Sequence, residues 1–507
     1  MTGAVTGAVS SAAKGGAQDR VMKQYLKDTW KSFVAMTDED TGLPADNIGG
    51  DLDATDRSGF TSPTNIGAYL WSTVVARDTG LITKADARER MLQTIDSIGK
   101  LEMHEESGQY YNWYDPATLE KLTVWPENQS TVHPFVSSVD NGWLATGLLV
   151  AARADSEVAP AADALREKMD FGFYYDESAG VRKTPDGPVG GQISGGFWVE
   201  PPPGCSQLLS FREGTAPVYH TCHRYGAFNT EPRMASYLGI AAGQIPAKHY
   251  FGTQRTFPPI CDYTWTETTP TGEWVSHEGV DVFEGTLPYR GMKIVPTWGG
   301  SMFEALMVPL FVPEEKWGPS SWGKNHPLYV QAQIEHGKEE AGYGYWGFSP
   351  SNNPDGGYRE YGVDALGMDE PGYTSDQQRT DWSQPNVVEG CPNNRAGEPA
   401  PTEYGDGVVT PHASFLALRY AKGQALANLA KLKRNFDAYG PGGFYDAVEV
   451  PTGDVSKRYL SLDQGMIMAA LGNALAGDDL RGYVAPGGLA EKVKPLMAEE
   501  TFGSAGR

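Results

Sequence analysis

The sequence predicts an all-α fold, an (α/α)6 toroid or barrel with short β-hairpins and long loops inserted at one rim. Apolar residues recur at three- and four-residue spacing in about eleven separate segments, which is the pattern of amphipathic helices. These segments cover residues 18–36, 64–79, 84–102, 138–153, 159–169, 230–243, 300–311, 325–340, 410–433, 461–476 and 488–498. Eleven or twelve helices with insertions in alternate connections match six helix pairs arranged in a ring.

Four connections between these segments are unusually long and rich in glycine, proline and aromatic residues. They cover residues 106–136, 171–228, 250–298 and 343–408. Short strand-like pieces such as Phe171-Gly172-Phe173-Tyr174-Tyr175 lie within them. Because loops of this length are uncommon unless they are functional, we expect them to gather at one rim of the toroid and to build the site there.

One two-part unit occurs twice in the chain. The first copy is Tyr110-Tyr111-Asn112-Trp113-Tyr114-Asp115 followed by Ser138-Val139-Asp140, and the second is Gly442-Gly443-Phe444-Tyr445-Asp446 followed by Ser461-Leu462-Asp463. Each copy predicts a Tyr-Asp pair on a strand or turn, then a Ser-x-Asp cap that starts an apolar helix. The positive ends of both helix dipoles would face the same direction. A cavity ringed by such helix starts, aromatic rings and carboxylates suits sugar chemistry.

Length and charge favour one large domain with a neutral or cationic ligand. No long linker rich in Pro, Gly or Ser interrupts the 507 residues, so residues 17–507 are interpreted as a single domain. Residues 1–16 are interpreted as a flexible leader, compatible with the remnant downstream of a removed export signal with a Met added. The excess of 64 acidic over 41 basic residues argues against nucleic acid or an anionic membrane as a partner. No run approaches the ~18 apolar residues of a membrane helix.

The cysteines and histidines predict neither a metal site nor a cofactor. All four cysteines stand in loop-like context: Cys205, Cys222, Cys261 and Cys391. One or two disulfides are compatible with an exported protein, and unpaired thiols with a cytoplasmic one. His220, Cys222 and His223 lie close in sequence but lack the spaced second half of a zinc motif. We favour a secreted or extracytoplasmic location, with the cytoplasm as the alternative.

Two glutamates are the candidates for catalysis. Glu231 lies at a helix start, where Thr230 can cap the helix and Pro232 fits its first turn. Its alternative role is a first-turn acid that stabilises the helix dipole. Glu304 follows the segment Trp298-Gly299-Gly300-Ser301-Met302-Phe303 in an otherwise apolar helix. Buried without a partner its charge would be costly, so the alternatives are a functional role or an exposed helix face.

Several motifs resemble the glycoamylase-like domain family. That family includes the glucan-processing domain of bacterial cyclic β-1,2-glucan synthases and is related to bacterial endo-β-1,2-glucanases. The motifs follow one another in the family's order across roughly residues 20–475: Thr61-Ser62-Pro63-Thr64-Asn65-Ile66-Gly67, Ala76-Arg77-Asp78-Thr79-Gly80, Trp298-Gly299-Gly300-Ser301-Met302-Phe303-Glu304, Tyr343 to Gly362, Thr410-Pro411-His412-Ala413-Ser414, Gly443-Phe444-Tyr445-Asp446 and Tyr459-Leu460-Ser461-Leu462-Asp463-Gln464-Gly465.

The resemblance implies an enzyme that acts on β-glucans. It implies that Glu231 is the proton donor and that Glu304, in the Ser-Met-Phe-Glu motif of the synthase branch, is the nucleophile of a retaining reaction. The glucanase branch lacks that motif and inverts. The substrate groove would be lined by Asp140, Arg233, Trp298, Tyr358, Arg359, Tyr445 and Asp463. The loops at 199–225 and 366–405 match no part of the family pattern and would shape the sugar subsites.

Other interpretations of the same residues and fold stay open. An inverting glycosidase on another polysaccharide, such as an arabinan, would use Asp140 or Asp463 as the base that activates water. Asp140 and Asp463 could also be simple N-terminal acids of their helices. A polysaccharide lyase would need basic side chains against a uronate, which the acidic composition disfavours. A non-catalytic glycan-binding protein could retain the same barrel.

Overall fold

The computed structural model of the chain describes residues 3–210, 214–258, 269–368 and 405–505. Helices predominate in this part of the chain, as the sequence predicts. The α-helices are α1 (Gly3–Met36), α2 (Pro63–Asp78), α3 (Lys84–Ile98), α4 (Ser138–Ala154), α5 (Ala159–Arg166), α6 (Arg233–Ala242), α7 (Met302–Leu306), α8 (Glu314–Trp317), α9 (Trp322–Glu335), α10 (Pro411–Leu416), α11 (Leu418–Asn435), α12 (Ser461–Leu475), α13 (Asp479–Val484) and α14 (Lys494–Glu499).

The strands are short, and all of their pairings are antiparallel. They are β1 (Asn47–Gly49), β2 (Met103–His104), β3 (Gln109–Tyr110), β4 (Phe135–Ser137), β5 (Tyr175–Asp176), β6 (Gln192–Ile193), β7 (Gly196–Trp198), β8 (Ser206–Leu209), β9 (Val218–Thr221), β10 (Thr271–His277), β11 (Val280–Tyr289), β12 (Met292–Ile294), β13 (Ser351–Asn352), β14 (Tyr358–Arg359), β15 (Val408–Val409), β16 (Tyr439–Gly440), β17 (Gly443–Phe444), β18 (Ala447–Glu449), β19 (Val455–Ser456) and β20 (Arg458–Leu460).

The helical segments differ from the prediction in several places. The segment predicted at 300–311 divides into α7 and a 3₁₀ turn at Val308–Leu310, because Pro309 has no N–H to continue the helix. The segment predicted at 410–433 divides into α10 and α11. Residues 3–16, interpreted as part of a flexible leader, belong to α1, and their role as a leader stays a prediction.

The long connections hold more sheet than the prediction of short hairpins allows. Strands β10, β11 and β12 form a three-stranded sheet within 250–298, and β4, β7, β9 and β8 form a four-stranded sheet in that order. Cys205 and Cys222 form a disulfide beside the β8–β9 pair, with Cα atoms 5.6 Å apart. Cys261 and Cys391 lie outside the described residues.

The repeated unit is present as hairpin then helix, but its serine does not cap. Each copy has a hairpin, β2–β3 or β16–β17, followed by a helix that begins at Ser138 or Ser461. Both serines are the first residue inside their helix, and their hydroxyl groups donate to carbonyls of other segments, at 2.8 Å from Ser194 O and 2.6 Å from Ala45 O. The cap of α4 is Ser137, which accepts from the Asp140 N–H. The predicted Ser-x-Asp cap is therefore wrong.

The helix starts that carry the candidate residues are neighbours in space. Contacts join α2 to α4, α4 to α6, α7 to α10, α10 to α12 and α12 back to α2. Hydrogen bonds from α6 to the backbone of α7 close the remaining step. These six helices bring their amino-terminal ends into one region, where the long connections also lie.

Two glycines let α2 and α4 approach closely. A Cβ on Gly67 would lie 2.5 Å from the Trp143 carbonyl oxygen, and a Cβ on Gly147 would lie 2.6 Å from the Gly67 Cα. Both neighbours are backbone atoms of a packed helix, which cannot move aside without moving the helix. The close approach also brings Thr64 of α2 next to Asp140 of α4, and the Thr64 hydroxyl group donates to Asp140 Oδ1 at 2.6 Å.

We expect Gly147→Ala to lower the free energy of unfolding by about 1–3 kcal/mol, because the added methyl group must push α2 and α4 apart. Urea unfolding followed by circular dichroism measures the change. Gly423→Ala is the matched control, since Gly423 is exposed in α11 with nothing within 4 Å of its Cβ position. That variant should gain about 0.5–1 kcal/mol from helix propensity. Equal effects of the two substitutions would contradict the close-packing argument.

Candidate active site

Two adjoining cavities form a cleft at the amino-terminal ends of the central helices. The small arm is a cavity of about 520 Å³ whose lining includes Tyr225, Trp298, Phe303, Glu304 and Glu360. The large arm is a cavity of about 1140 Å³ whose lining includes Asp46, Phe60, Trp113, Trp125 and Asp140. The two arms share Glu231, Tyr358 and Leu462. Glu231 therefore stands at the junction of the cleft.

The Glu231 carboxyl group is held by a tryptophan and surrounded by other acids. Trp143, fully buried in α4, donates its indole N–H to Glu231 Oε2 at 2.6 Å. Burial raises the pKa of Glu231 well above its usual range, and the charges of Glu304 and Asp140 raise it further against the effect of the Trp143 hydrogen bond. A raised pKa of this kind suits a carboxyl group that donates a proton.

The Glu304 carboxylate is tied directly to the backbone of Glu231. Its Oε2 accepts the Glu231 N–H at 2.7 Å, so the two candidate residues meet although 73 positions separate them. Burial and the charge of Glu360 raise the pKa of Glu304 to about 7, while the Glu231 N–H favours the ionised form. Near neutral pH the pair can therefore hold one proton on Glu231 and one charge on Glu304.

Asp140 and Asp46 add two carboxyl groups to the large arm. Thr64 donates to Asp140 Oδ1 at 2.6 Å. Asn65 and Asn47 donate to the two oxygens of Asp46 at 2.8 Å and 3.0 Å. Burial raises the pKa of both aspartates above the usual range, against the effect of these hydrogen bonds. Asp140 is thus an acid of the cleft wall whose hydrogen-bond partner is the Thr64 hydroxyl group.

Arg233 does not line the groove as predicted, because its side chain is 4% exposed and turned into the protein. Its guanidinium pairs with Glu314 through two hydrogen bonds, of 2.9 Å and 3.0 Å. The other N–H groups donate to the carbonyl oxygens of Thr230 at 2.6 Å, Glu304 at 2.8 Å and Ala305 at 2.7 Å. Arg233 therefore joins the start of α6 to the backbone of α7 beneath the two glutamates.

Glu314 is the fully buried counter-ion of Arg233, and we call this ion pair the clamp. It also accepts hydrogen bonds from Tyr237 and His326, each at 3.0 Å. Burial alone would raise its pKa, but the Arg233 charge and the His326 hydrogen bond lower the pKa of Glu314 to about 2. The clamp is thus an ion pair whose carboxylate has all of its strong partners in place.

Strand geometry explains which of the other predicted groove residues reach the cleft. Successive side chains of a strand point to opposite faces. Tyr358 lines both arms, so its neighbour Arg359 faces away and lies 3.4 Å from Asp406. Trp298 lines the small arm as predicted. Tyr445 does not line either arm, because its hydroxyl donates to the Gly50 carbonyl at 3.3 Å and its ring packs on Tyr459.

Asp463 lies beneath the cleft rather than in its wall, with 2% exposure. It forms a buried cluster with Asp446 and His412, whose Nδ1 lies 3.1 Å from Asp463 Oδ2. Burial raises the pKa of Asp463 to about 7 and, with the Asp463 charge, raises that of Asp446 well above its usual range. Burial therefore disfavours a negative charge on both carboxyl groups at once.

The same three residues are those that could hold a metal ion among the residues described. Their donor atoms lie within 4.8 Å of one another. The earlier candidate cluster cannot do so with its cysteine, because Cys222 is bonded to Cys205. No helix among the described residues has both the length and the apolar character that crossing a membrane requires.

Sequence reasoning did not single out several residues of the cleft and its support, and four of them show why. Trp143 carried no functional signal because a buried tryptophan in an apolar helix is ordinarily core. Asp46 lies in a connection without a motif, and Glu360 was hidden beside the more conspicuous Tyr358. Asp446 was passed over for the adjacent Tyr445, although strand alternation could have indicated that only one of the two faces inward.

Family models match two parts of the chain. The Glycoamylase model, described as "Putative glucoamylase", matches residues 265–478, and a model described as "Protein of unknown function (DUF3131)" matches residues 24–176. The predicted resemblance to the glycoamylase-like family is thus confirmed, and the matched residues 265–478 include Glu304. Glu231 lies between the two matched segments.

A curated relative and solved structures agree with this result. The chain is 24% identical over 614 aligned positions to the cyclic β-(1,2)-glucan synthase NdvB of Rhizobium meliloti (strain 1021), covering 94% of this chain but only 18% of the synthase. An endo-β-1,2-glucanase of Chitinophaga pinensis, solved with sophorotriose and glucose, has TM-score 0.60 and 16% identity, covering 94% of this chain and 98% of its own. A mutant endo-β-1,2-glucanase of Talaromyces funiculosus, solved with β-1,2-glucan, has TM-score 0.60 and 13% identity, covering 96% and 91%. The chain has the fold of these glucanases.

We expect Glu314→Gln to lower the free energy of unfolding by about 3–5 kcal/mol, because it leaves the buried Arg233 charge without its counter-ion. Denaturant unfolding of the purified variant measures this loss. Glu335→Gln is the matched control, since Glu335 pairs with Arg290 at 3.1 Å where the side chains are 26% and 40% exposed. The control should change the free energy of unfolding by less than about 1 kcal/mol. A small effect of both variants would show that the clamp does not stabilise the site.

Proposed function

We propose that this protein is a glycoside hydrolase or transglycosylase that acts on a β-1,2-glucan, with Glu231 as acid/base and Glu304 as nucleophile. The observation that carries the proposal is the contact between the two residues at the junction of one cleft, where the Glu304 carboxylate accepts the Glu231 N–H. The names of the curated relative and of the solved structures support the choice of β-1,2-linked glucose. The two arms give room for sugar on both sides of the scissile bond.

The reaction would proceed in two steps. Glu304 attacks the anomeric carbon, the glycosidic C–O bond breaks, and the proton of Glu231 passes to the departing oxygen. In the second step the Glu231 carboxylate takes a proton from water or from a sugar hydroxyl, whose oxygen attacks the same carbon and releases Glu304. Sugar as acceptor gives transglycosylation, and water gives hydrolysis.

The helical framework proposed for this chemistry is the six-pair toroid. The order of contacts from α2 through α4, α6, α7, α10 and α12 back to α2 supports it, because a closed ring of inner helices would produce that order. The amino-terminal end of each inner helix would then face the substrate. An exported location is also part of the proposal, and the Cys205–Cys222 disulfide supports it. Fractionation of the native cells with detection of the protein tests that location.

An inverting reaction is the second candidate, and the position of Asp140 favours it. Asp140 lines the large arm together with Glu231, whereas Asp463, the other candidate base, is buried below Leu462. Asp140 would activate a water molecule while Glu231 donates its proton. Carboxyl groups about 5–5.5 Å apart suit retention, and about 6.5–9.5 Å suits inversion.

Glu231→Gln should lose roughly 10²-fold or more in turnover of β-1,2-glucan, because the amide cannot donate a proton to the leaving oxygen. Turnover by the parent enzyme should fall as the pH drops through about 7, where Glu304 becomes protonated. It should also fall at higher pH, where Glu231 loses its proton, so the profile is bell-shaped and its two limits belong to the coupled pair. In Glu231→Gln the alkaline limb should vanish on an aryl glucoside that needs no acid. Glu335→Gln should keep the parent rate and profile, and full activity of Glu231→Gln would remove the acid role.

Glu304→Ala should abolish turnover if Glu304 is the nucleophile, and azide should restore it on a substrate with a good leaving group by filling the vacated volume. Proton NMR of the first product identifies its anomer. A product of retained configuration, together with transfer products at high substrate concentration, supports the retaining reaction. An inverted product, with Glu304→Ala still active and Asp140→Asn inactive, would transfer the proposal to Asp140 as the base.

A further inference from the structure

We propose that Phe60, Trp113 and Trp125 form a stacking platform that binds a glucosyl ring of the substrate outside the two positions flanking the scissile bond. This inference rests on the proposed function and extends it to a second binding position. All three rings line the large arm and none lines the small arm. The flanking positions belong at the junction with Glu231, so a ring bound against the platform lies further along the sugar chain.

The three rings form one continuous aromatic surface. Ring centroids lie 5.4 Å apart for Phe60 and Trp113, 4.5 Å for Phe60 and Trp125, and 5.3 Å for Trp113 and Trp125. Phe60 is nearly buried at 7% exposure, while both tryptophans are half-buried. Phe60 thus packs behind the two tryptophan rings, and the exposed part of each tryptophan ring faces the cavity.

The platform stands on rigid backbone. Thr61 and Tyr114 exchange two backbone hydrogen bonds, of 2.8 Å and 3.1 Å, and both side chains are buried. Because side chains alternate along extended segments, the preceding residues Phe60 and Trp113 face the opposite side, toward the cavity. Trp125 is held by its backbone N–H, which donates to the Ser130 carbonyl at 2.7 Å. Rings fixed in this way lose little conformational freedom when a ligand binds.

The chemistry of the surface suits a neutral pyranoside. The negative faces of the rings attract the slightly positive C–H groups on the apolar face of a glucosyl unit. Arg57 and Arg458, which line the same arm, can meet sugar hydroxyl groups at the edge. Both are fixed by hydrogen bonds of their Nε atoms, to Ala35 O at 2.6 Å and Asn47 Oδ1 at 2.7 Å. An apolar face with polar groups at its rim is the usual composition of a carbohydrate subsite.

Packing alone does not account for this placement. Phe135 and Trp198 form a pair with the same geometry, centroids 4.5 Å apart and planes inclined by 41°, as Phe60 and Trp125. Trp198 is also half-buried, yet it lines neither arm. The chain therefore offers an aromatic pair that differs from the platform chiefly in its position, which makes Trp198 a matched control.

The test compares long with short linear β-1,2-gluco-oligosaccharides as substrates of the parent, Trp113→Ala, Trp125→Ala and Trp198→Ala. For each platform variant we expect the ratio of kcat/KM on long over short substrates to fall about tenfold, the order expected for one ring contact. The loss should appear in KM, since this contact is the same in ground state and transition state. Trp113→Phe and Trp125→Phe should restore part of the ratio, and Trp198→Ala should keep it. Thermal unfolding of each variant verifies that it is folded.

Each result decides between the platform and the proposed function. If the parent cleaves the oligosaccharides and the platform variants lose equally on long and short ones, the platform is overturned while the function stands. If the parent cleaves none of them, the proposed function fails, and calorimetric titration with the same oligosaccharides then tests the platform alone. Binding that is lost in Trp113→Ala but kept in Trp198→Ala supports it, and absence of binding by the parent overturns it.

Discussion

The buried pair of Arg233 and Glu314 is the constraint on which the cleft depends. Glu231 precedes α6 and Glu304 lies in α7, a helix of five residues that could not hold a fixed position alone. Arg233 binds the backbone of both segments from below, and Glu314 fixes Arg233. Since all the donors of the guanidinium are used by the protein, the side chain serves as a structural joint and leaves the cavity to the two glutamates.

Four acids gather in this cleft, and their hydrogen bonds and neighbouring charges determine their protonation. Glu231, Glu304, Asp140 and Asp46 would repel one another if all were ionised, so the group with the least compensation keeps its proton. Glu304 and Asp140 each have a donor in contact, from a backbone N–H and from Thr64. Glu231 also has a donor in contact, the Trp143 N–H, but the charges of both Glu304 and Asp140 raise its pKa. The arrangement of hydrogen-bond donors and neighbouring charges therefore separates a proton donor from the carboxylates of the cleft.

The sequence predicted the helices well, because their apolar periodicity reflects burial against a central core. It also singled out Glu231 and Glu304, which line the same cavity, although the signal for Glu231 was only a helix start and a family motif. It failed where a residue's role depends on a distant segment. The direction of Arg233 is set by Glu314, 81 positions away, and the burial of Asp463 by Asp446 and His412. The pattern of a single helix start carries no information about such partners.

Along the extended segments of the site, alternate side chains face the cavity or are buried behind its wall. One such segment connects the platform to the reacting centre. Phe60 faces the large arm while Thr61 is buried, and four residues after Phe60 the same segment places Thr64 against Asp140. The backbone that carries a platform ring thus also carries the partner of a cleft acid. Gly67 and Gly147 allow this segment to pack closely on α4, and Trp143 of α4 donates a hydrogen bond to Glu231. Sugar bound in the large arm would therefore contact the same packed unit that orients the proton donor. Because the platform contact is the same in ground state and transition state, the binding energy gained there lowers KM and holds the sugar chain in register with Glu231.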